Sequence, residues 1–131
     1  MVGMANRTQP RNGFTLIELL VVMTIVALLL SIVVPRYFHS IIKAEEAVLK
    51  EDLHLMRDAL DKYHADTGVY PDMLDDLVNR KYLRTIPVDP VTQSASSWIL
   101  IPPSNGEKGA IFDIKSAASG VARDGTVYGD W

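Results

Sequence analysis

The sequence contains no cysteine. Disulfide bonds, thiolate metal sites and cysteine nucleophiles are therefore excluded. The sequence also has little excess charge, because 13 basic and 16 acidic side chains give a formal net charge of -3. No cluster of Lys and Arg forms a basic patch, so we expect no nucleic-acid partner. The length of 131 residues allows one domain of ordinary size with an appendage.

Signatures of catalysis are missing as well. The sequence has no Gly-rich phosphate loop and no G-x-S-x-G nucleophile elbow. Two pairs of acids are adjacent in sequence, at residues 45–46 and 75–76. Neighbouring residues of a helix do not face each other, so these pairs are poor candidates for a catalytic dyad. We therefore predict a protein that is not an enzyme and has no cofactor.

Residues 14–34 contain no Lys or Arg, and all but four of them are apolar. The exceptions are Thr15, Glu18, Thr24 and Ser31. At about 1.5 Å per residue, a helix of this length reaches about 30 Å, which is enough to cross the hydrocarbon core of a bilayer. The run is too long for the apolar region of a secretory signal peptide, and no small-x-small cleavage site follows it. A membrane anchor fits better.

Glu18 distinguishes this segment from a plain anchor. An acid inside a membrane span costs several kcal/mol and usually has a function and a partner. If the chain were cut between Gly13 and Phe14, a new positive N-terminus would lie about one helical turn from Glu18. That amine would belong to the same chain or to a neighbour packed in a staggered array. In the alternative interpretation, the Glu18 side chain simply extends to the membrane interface.

At this point the sequence resembles a known pattern. Residues 11–22, RNGFTLIELLVV, resemble the class III signal of type IV pilins and type II secretion pseudopilins. The resemblance implies that a prepilin peptidase removes residues 1–13 as a leader by cutting between Gly13 and Phe14, and that Phe14 is then N-methylated. It also implies that Glu18 helps to recruit the subunit into a growing filament. Pro35 stands where the family has a helix-kinking proline, and a proline there is expected to kink or locally open the helix.

Beyond Pro35, the spacing of apolar residues again predicts a helix, which continues to about Asp66. Thr67 and Gly68 are expected to end it. One apolar stripe runs along this helix: Phe38, Ile42, Leu49, Leu53, Met56, Leu60 and Tyr63. The stripe predicts a surface that receives the rest of the domain.

The remainder of the chain predicts a short helix and a small sheet. The helix candidate covers residues 73–80, and the strand candidates cover residues 98–101, 110–115 and 126–128. Neither the sheet nor the helical stripe is large enough to be stable alone, so each must pack on the other. The predicted fold class is therefore α+β, with a long N-terminal helix packed against a three-stranded antiparallel sheet.

This second half resembles the major, G-type pseudopilins of type II secretion. The segments that carry the resemblance are ALDKY at 59–63, DTGVYP at 66–71, LRTIPVDP at 83–90, DIKS at 113–116 and DW at 130–131. The resemblance implies a single-pass protein of the inner membrane, with residues 14–35 as transmembrane and assembly stem and residues 36–131 as a periplasmic head. It implies a helical homo-oligomeric filament. The implied partners are the prepilin peptidase, an inner-membrane assembly platform with its ATPase, other minor pseudopilins and the lipid bilayer.

Heads of that family often bind calcium in the loop that joins the last two strands. Here Ser119 stands where an Asp is expected, and Arg123 places a cation in the loop. Calcium takes six to eight oxygen ligands, several of them anionic. Asp124 and Asp130 are the candidate ligands, but we favour the alternative that Asp124 and Gly125 simply form a turn.

Two other functions stay open at this stage. A true type IV pilin would form long surface fibres, but many such pilins carry a C-terminal disulfide, which this sequence does not allow. A membrane-anchored periplasmic module that never polymerises would keep the Gly13–Phe14 bond intact.

Overall fold

The computed structural model describes residues 3–131. They form two compact units, of which the first ends at Phe38 and the second spans His39–Trp131. The elements, in order, are α1 (Leu16–Thr67), α2 (Leu74–Asn79), β1 (Ile99–Ile101), β2 (Asp113–Lys115) and a 3₁₀-helix (Tyr128–Asp130). The fold is α+β with a long N-terminal helix, as the sequence predicted.

Helix α1 ends where the sequence predicted. Gly68 follows it with φ of +76°, in the left-handed region that glycine occupies without steric cost. The Gly68 N–H donates to the carbonyl oxygen of His64 at 2.8 Å. The Thr67 hydroxyl donates to the carbonyl oxygen of Tyr63 at 2.7 Å. The first bond satisfies a carbonyl group that the last turn would leave without a partner.

The buried face of α1 lies in its second half. Its residues are Leu49, Leu53, Met56, Ala59, Leu60 and Tyr63. The predicted stripe was wrong at its N-terminal end, because Ile42 is 42% exposed and Phe38 is 59% exposed. The periodicity of the stripe is helical throughout, but the segments that follow α1 bury this stripe only from Leu49 onward.

The sheet is smaller than predicted. Strands β1 and β2 pair antiparallel, with Leu100 opposite Ile114. Strand β2 was predicted to begin at Ala110, but the N–H groups of Ala110 and Ile111 both donate to the carbonyl oxygen of Pro71 at 3.1 Å. These two residues therefore fix the loop before α2 instead of extending the sheet.

The prediction of a third strand was wrong. In residues 3–131, the C-terminal strand candidate makes one isolated bridge, between Val121 and Val127, and a 3₁₀-helix begins at Tyr128. The cause is a local turn, in which a carboxylate oxygen of Asp124 accepts the Thr126 N–H at 3.0 Å. Asp commonly closes such turns through its own side chain. The segment therefore pairs with its own loop and not with β2.

The core of the head contains a buried carboxylate, which the sequence analysis did not single out. Asp89 is fully buried and accepts the N–H groups of Val91 at 2.8 Å and Thr92 at 3.2 Å. It also accepts the hydroxyl of buried Ser116, whose oxygen accepts the Ala118 N–H at 3.1 Å. A buried polar side chain is costly unless it is hydrogen-bonded, and these bonds give Asp89 its partners. The same network joins the loop that contains Asp89 to the chain after β2.

Candidate assembly site at the start of the apolar helix

Thr15 and Glu18 cap the first turn of α1. The Thr15 N–H donates to Oε2 of Glu18 at 3.1 Å, and the Glu18 N–H donates to the Thr15 hydroxyl oxygen at 3.2 Å. This reciprocal pair is a capping box, with Thr15 as the N-cap residue and Glu18 at the third helical position. It satisfies two of the backbone donors that a helix start leaves without partners.

Sequence reasoning placed Glu18 correctly as an acid near the start of the run but missed its role as a cap. The signal was available, because a Thr followed three residues later by a Glu, ahead of an apolar run, is the pattern of a capping box. The glutamate carboxylate is thus directed toward the N-terminal end of the helix and not along its apolar side.

The predicted cleavage junction lies just ahead of this cap. Residues 3–15 form no regular secondary structure, Gly13 has no neighbouring atom where a Cβ would stand, and Phe14 is 93% exposed. An unpacked backbone without regular secondary structure is the form in which a peptidase can bind a peptide bond. The cut itself and the N-methylation of Phe14 stay predictions.

The chemistry of Glu18 follows from these positions. Glu18 already accepts the N–H of Thr15, and Thr15 directly follows Phe14. A cut after Gly13 would create an ammonium group on Phe14, one residue from that bond. The start of a helix also carries a partial positive charge that favours a carboxylate. The arrangement therefore provides one anionic group beside the place where processing would create a cation.

Each hydroxyl group in the rest of the apolar run has a hydrogen-bond partner within the helix. The Thr24 hydroxyl donates to the Leu20 carbonyl oxygen at 2.7 Å, and the Ser31 hydroxyl donates to the Leu28 carbonyl oxygen at 2.6 Å. Thr15 and Glu18 satisfy each other, so all four non-apolar residues of the run are paired locally. Such back-bonded hydroxyls are compatible with hydrocarbon surroundings.

Helix α1 is long and apolar enough to cross a membrane. In its most apolar stretch, 0% of the residues are buried by the rest of the protein. Pro35 lies inside α1, with α-helical residues on both sides. Its predicted kink stays a prediction.

The candidate calcium ligands lie in the head, where Asp124 is engaged by other groups. Asp124 accepts the N–H and the hydroxyl of Thr126, and Lys50 Nζ lies 3.8 Å from its carboxylate. These hydrogen bonds from Thr126, followed by the charge of Lys50, lower the pKa of Asp124. Asp130 lies in the 3₁₀-helix. Within residues 3–131, no three His, Asp or Glu side chains are grouped as a metal would require.

The geometry of Asp124 matches the alternative that the sequence favoured. The Gly125 N–H donates to the Ala122 carbonyl oxygen at 3.0 Å, and Gly125 has φ of +87°. Residues 122–125 therefore form a turn closed by a backbone bond, with a glycine where the left-handed conformation requires it. This donor set does not fit a calcium site.

Comparison with known proteins shows which proteins this chain is similar to. Residues 9–34 match the prokaryotic N-terminal methylation motif. The chain is 30% identical to type II secretion system core protein G of Klebsiella michiganensis, across 95% of this chain and 96% of the relative. It is 32% identical to the protein of the same name from Escherichia coli strain K12, across 84% and 83% of the two chains. No solved structure matches the chain significantly.

The motif covers the capped start of α1, and the likeness extends through the head to nearly the whole of both chains. The chain belongs to the type II secretion system core protein G family.

Proposed function

We propose that this chain is a structural, non-catalytic subunit of a type II secretion pseudopilus, a filament that promotes protein export. One observation carries the proposal. The apolar first part of α1 is exposed along its whole length, its hydroxyls are paired within the helix, and its one charged residue, Glu18, caps its start. A stem of this kind is suited first to lipid and then to identical neighbouring stems.

The proposed subunit begins as a single-pass protein of the inner membrane. Residues 14–35 cross the bilayer as the stem, and residues 36–131 form a head in the periplasm. The leader, residues 1–13, carries Arg7 and Arg11 and no acid, which favours a cytoplasmic position before cleavage. The prepilin peptidase then cuts between Gly13 and Phe14, and Phe14 is N-methylated.

Assembly follows from the charge of the processed stem. The Phe14 amine and the Glu18 carboxylate would both be costly in the bilayer if they stayed unpaired. Pairing of Glu18 with the Phe14 amine of a neighbouring subunit neutralises both charges as the subunit enters the filament. The subunits then stack helically with their stems in the filament core, where neighbours replace lipid. The assembly platform, its ATPase and the minor pseudopilins are partners by family membership.

Mass spectrometry of the N-terminus of the native protein tests this proposal directly. We expect the mature chain to begin at Phe14 and to carry a methyl group on its amine. An intact leader in the membrane-bound protein would instead favour an anchored module that never polymerises. Imaging then separates the two filament types, because long surface fibres that contain this chain would identify a type IV pilin.

A further inference from the structure

The C-terminal segment of the head, residues 117–131, is bound to α1 through side chains of that helix. The first is Glu46, which is partly buried. Its Oε1 accepts the backbone N–H of Arg123 at 2.9 Å and the hydroxyl of Tyr128 at 3.0 Å. One carboxylate thus holds two points of the segment, one within the turn at residues 122–125 and one after it.

Lys50 lies one turn further along α1 and contacts the same segment. Its Nζ is 3.8 Å from the Asp124 carboxylate and 4.4 Å from the centre of the Trp131 ring. The Trp131 indole N–H donates to the Thr126 hydroxyl oxygen at 2.6 Å. Lys50 therefore supplies a positive charge both to the acid of the turn and to the face of the last aromatic ring.

Arg57 makes the third attachment. Its guanidinium donates to the carbonyl oxygen of Trp131 at 2.6 Å and to that of Ile114 at 2.9 Å. It also pairs with the Asp113 carboxylate at 2.8 Å. Arg57 thus joins strand β2 to the last residue of the C-terminal segment. We refer to Glu46, Lys50 and Arg57 together as the helix clamp.

The charges around the turn oppose a divalent cation. The cavity beside it has a volume of about 410 Å³ and is lined by Lys43, Glu46, Ala47, Lys50, Arg123 and Asp124. Three of these side chains are cationic and two are anionic, and both anions already accept hydrogen bonds. The Ala122 and Gly120 carbonyl oxygens accept the N–H groups of Gly125 and Tyr128. Calcium would have to displace these donors and overcome the cations to collect its oxygen ligands.

We propose that the helix clamp replaces a metal in this head, so that the C-terminal segment folds on α1 independently of calcium. Folding of the head does not depend on the filament, so the head can be calcium-independent whether or not the subunit polymerises.

Thermal unfolding of the full chain in detergent micelles tests the proposal. Both tryptophans, Trp98 and Trp131, lie in the head, so intrinsic fluorescence reports the unfolding of that part. We expect the same melting temperature in excess EDTA and in roughly millimolar calcium, the range that suits extracellular calcium modules. A head that depends on bound calcium would melt lower by a few degrees or more after chelation, and that result would overturn the proposal.

Tryptic cleavage after Arg123 tests the clamp itself. We expect Glu46→Ala to speed this cut by about tenfold, because two hydrogen bonds to a charged group are lost and the segment opens more often. Glu51→Ala is the matched control, because Glu51 is an exposed acid of the same helix and its loss should leave the rate unchanged. Calcium should not restore protection to Glu46→Ala.

A second, milder variant distinguishes local opening of the C-terminal segment from general unfolding of the head. Tyr128→Phe removes one of the two hydrogen bonds to Glu46. It keeps the aromatic ring, whose centre lies 5.1 Å from the centre of the Trp131 ring. We expect an intermediate increase in the rate of the same cut, with an unchanged response to EDTA. Protection of either variant by calcium, or wild-type cleavage rates in both, would contradict the proposal.

Discussion

Thr15 and Glu18 bond each other across the first turn of α1, the backbone N–H of each donating to the side-chain oxygen of the other. The acid is therefore held at the end of the stem before any neighbour is present. In this position it stabilises the helix start, and it accepts the N–H of Thr15, the residue next to the amine that cleavage would create. The same carboxylate can thus serve the free subunit as a cap and the filament as a partner for a second subunit.

Glu18→Ala is expected to leave the subunit cleaved and membrane-bound but unassembled. The alanine removes the acid that we propose pairs with the Phe14 amine, and loss of a charge-assisted contact of this kind corresponds to a loss of at least about tenfold in filament yield. Filament yield from sheared cells and the mass of the N-terminus measure the two steps separately. Thr24→Ala is the control, because its hydroxyl bonds only the helix backbone. Normal filaments formed by Glu18→Ala would refute the assigned role.

Thr15→Ala is expected to loosen the first turn of α1 while the carboxylate remains. Loss of an N-cap hydroxyl costs about 1 kcal/mol, so the amide of Glu18 should exchange its hydrogen about fivefold faster. Hydrogen exchange of the full chain in micelles measures this effect. Thr15→Ser keeps a capping hydroxyl and should preserve slow exchange. If both variants exchange like wild type, the cap does not hold the helix start.

Asp52→Asn is expected to raise the melting temperature by a few degrees at neutral pH. Burial raises the pKa of Asp52 above its ordinary value of 3.8, and repulsion by Asp89 and Glu51 adds to the effect. The folded chain therefore holds this proton more tightly than the unfolded chain, so stability falls as the pH rises from the ordinary value through the raised one. The neutral Asn avoids this loss, and its advantage should disappear below about pH 4. Asp61→Asn, at an exposed position, is the control, and an equal gain there would point to net charge instead.

Gly109→Ala is expected to destabilise the head by at least about 2 kcal/mol. Gly109 has φ of +117°, and a Cβ there would lie 2.2 Å from the carbonyl oxygen of Tyr70. Gly106→Ala is the matched comparison, because Gly106 also has positive φ but faces open space, so it should cost only about 1 kcal/mol. Urea unfolding followed by fluorescence measures both. Similar losses in the free energy of unfolding at the two positions would mean that the close approach of Tyr70 does not contribute to the destabilisation.

The sequence by itself determined the features that depend on neighbouring residues. The apolar run, the acid within it and the end of α1 at Gly68 follow from helical spacing and from the backbone freedom of glycine. The turn at Asp124 and Gly125 is equally local, because an Asp-Gly pair favours such a turn by itself. The cap formed by Thr15 was also readable from residue spacing, although it was missed.

Tertiary structure decided what depends on distant partners. It left Ile42 exposed and buried Leu49, although both fit one helical stripe, because only the second half of the stripe is covered by the head. It buried Asp89 against Ser116. It also joined Arg57 to Trp131, 74 residues further along the chain. Periodicity defines which face of an element is apolar, but which segment covers that face depends on the packing of the whole head, and so does the partner of each charged side chain.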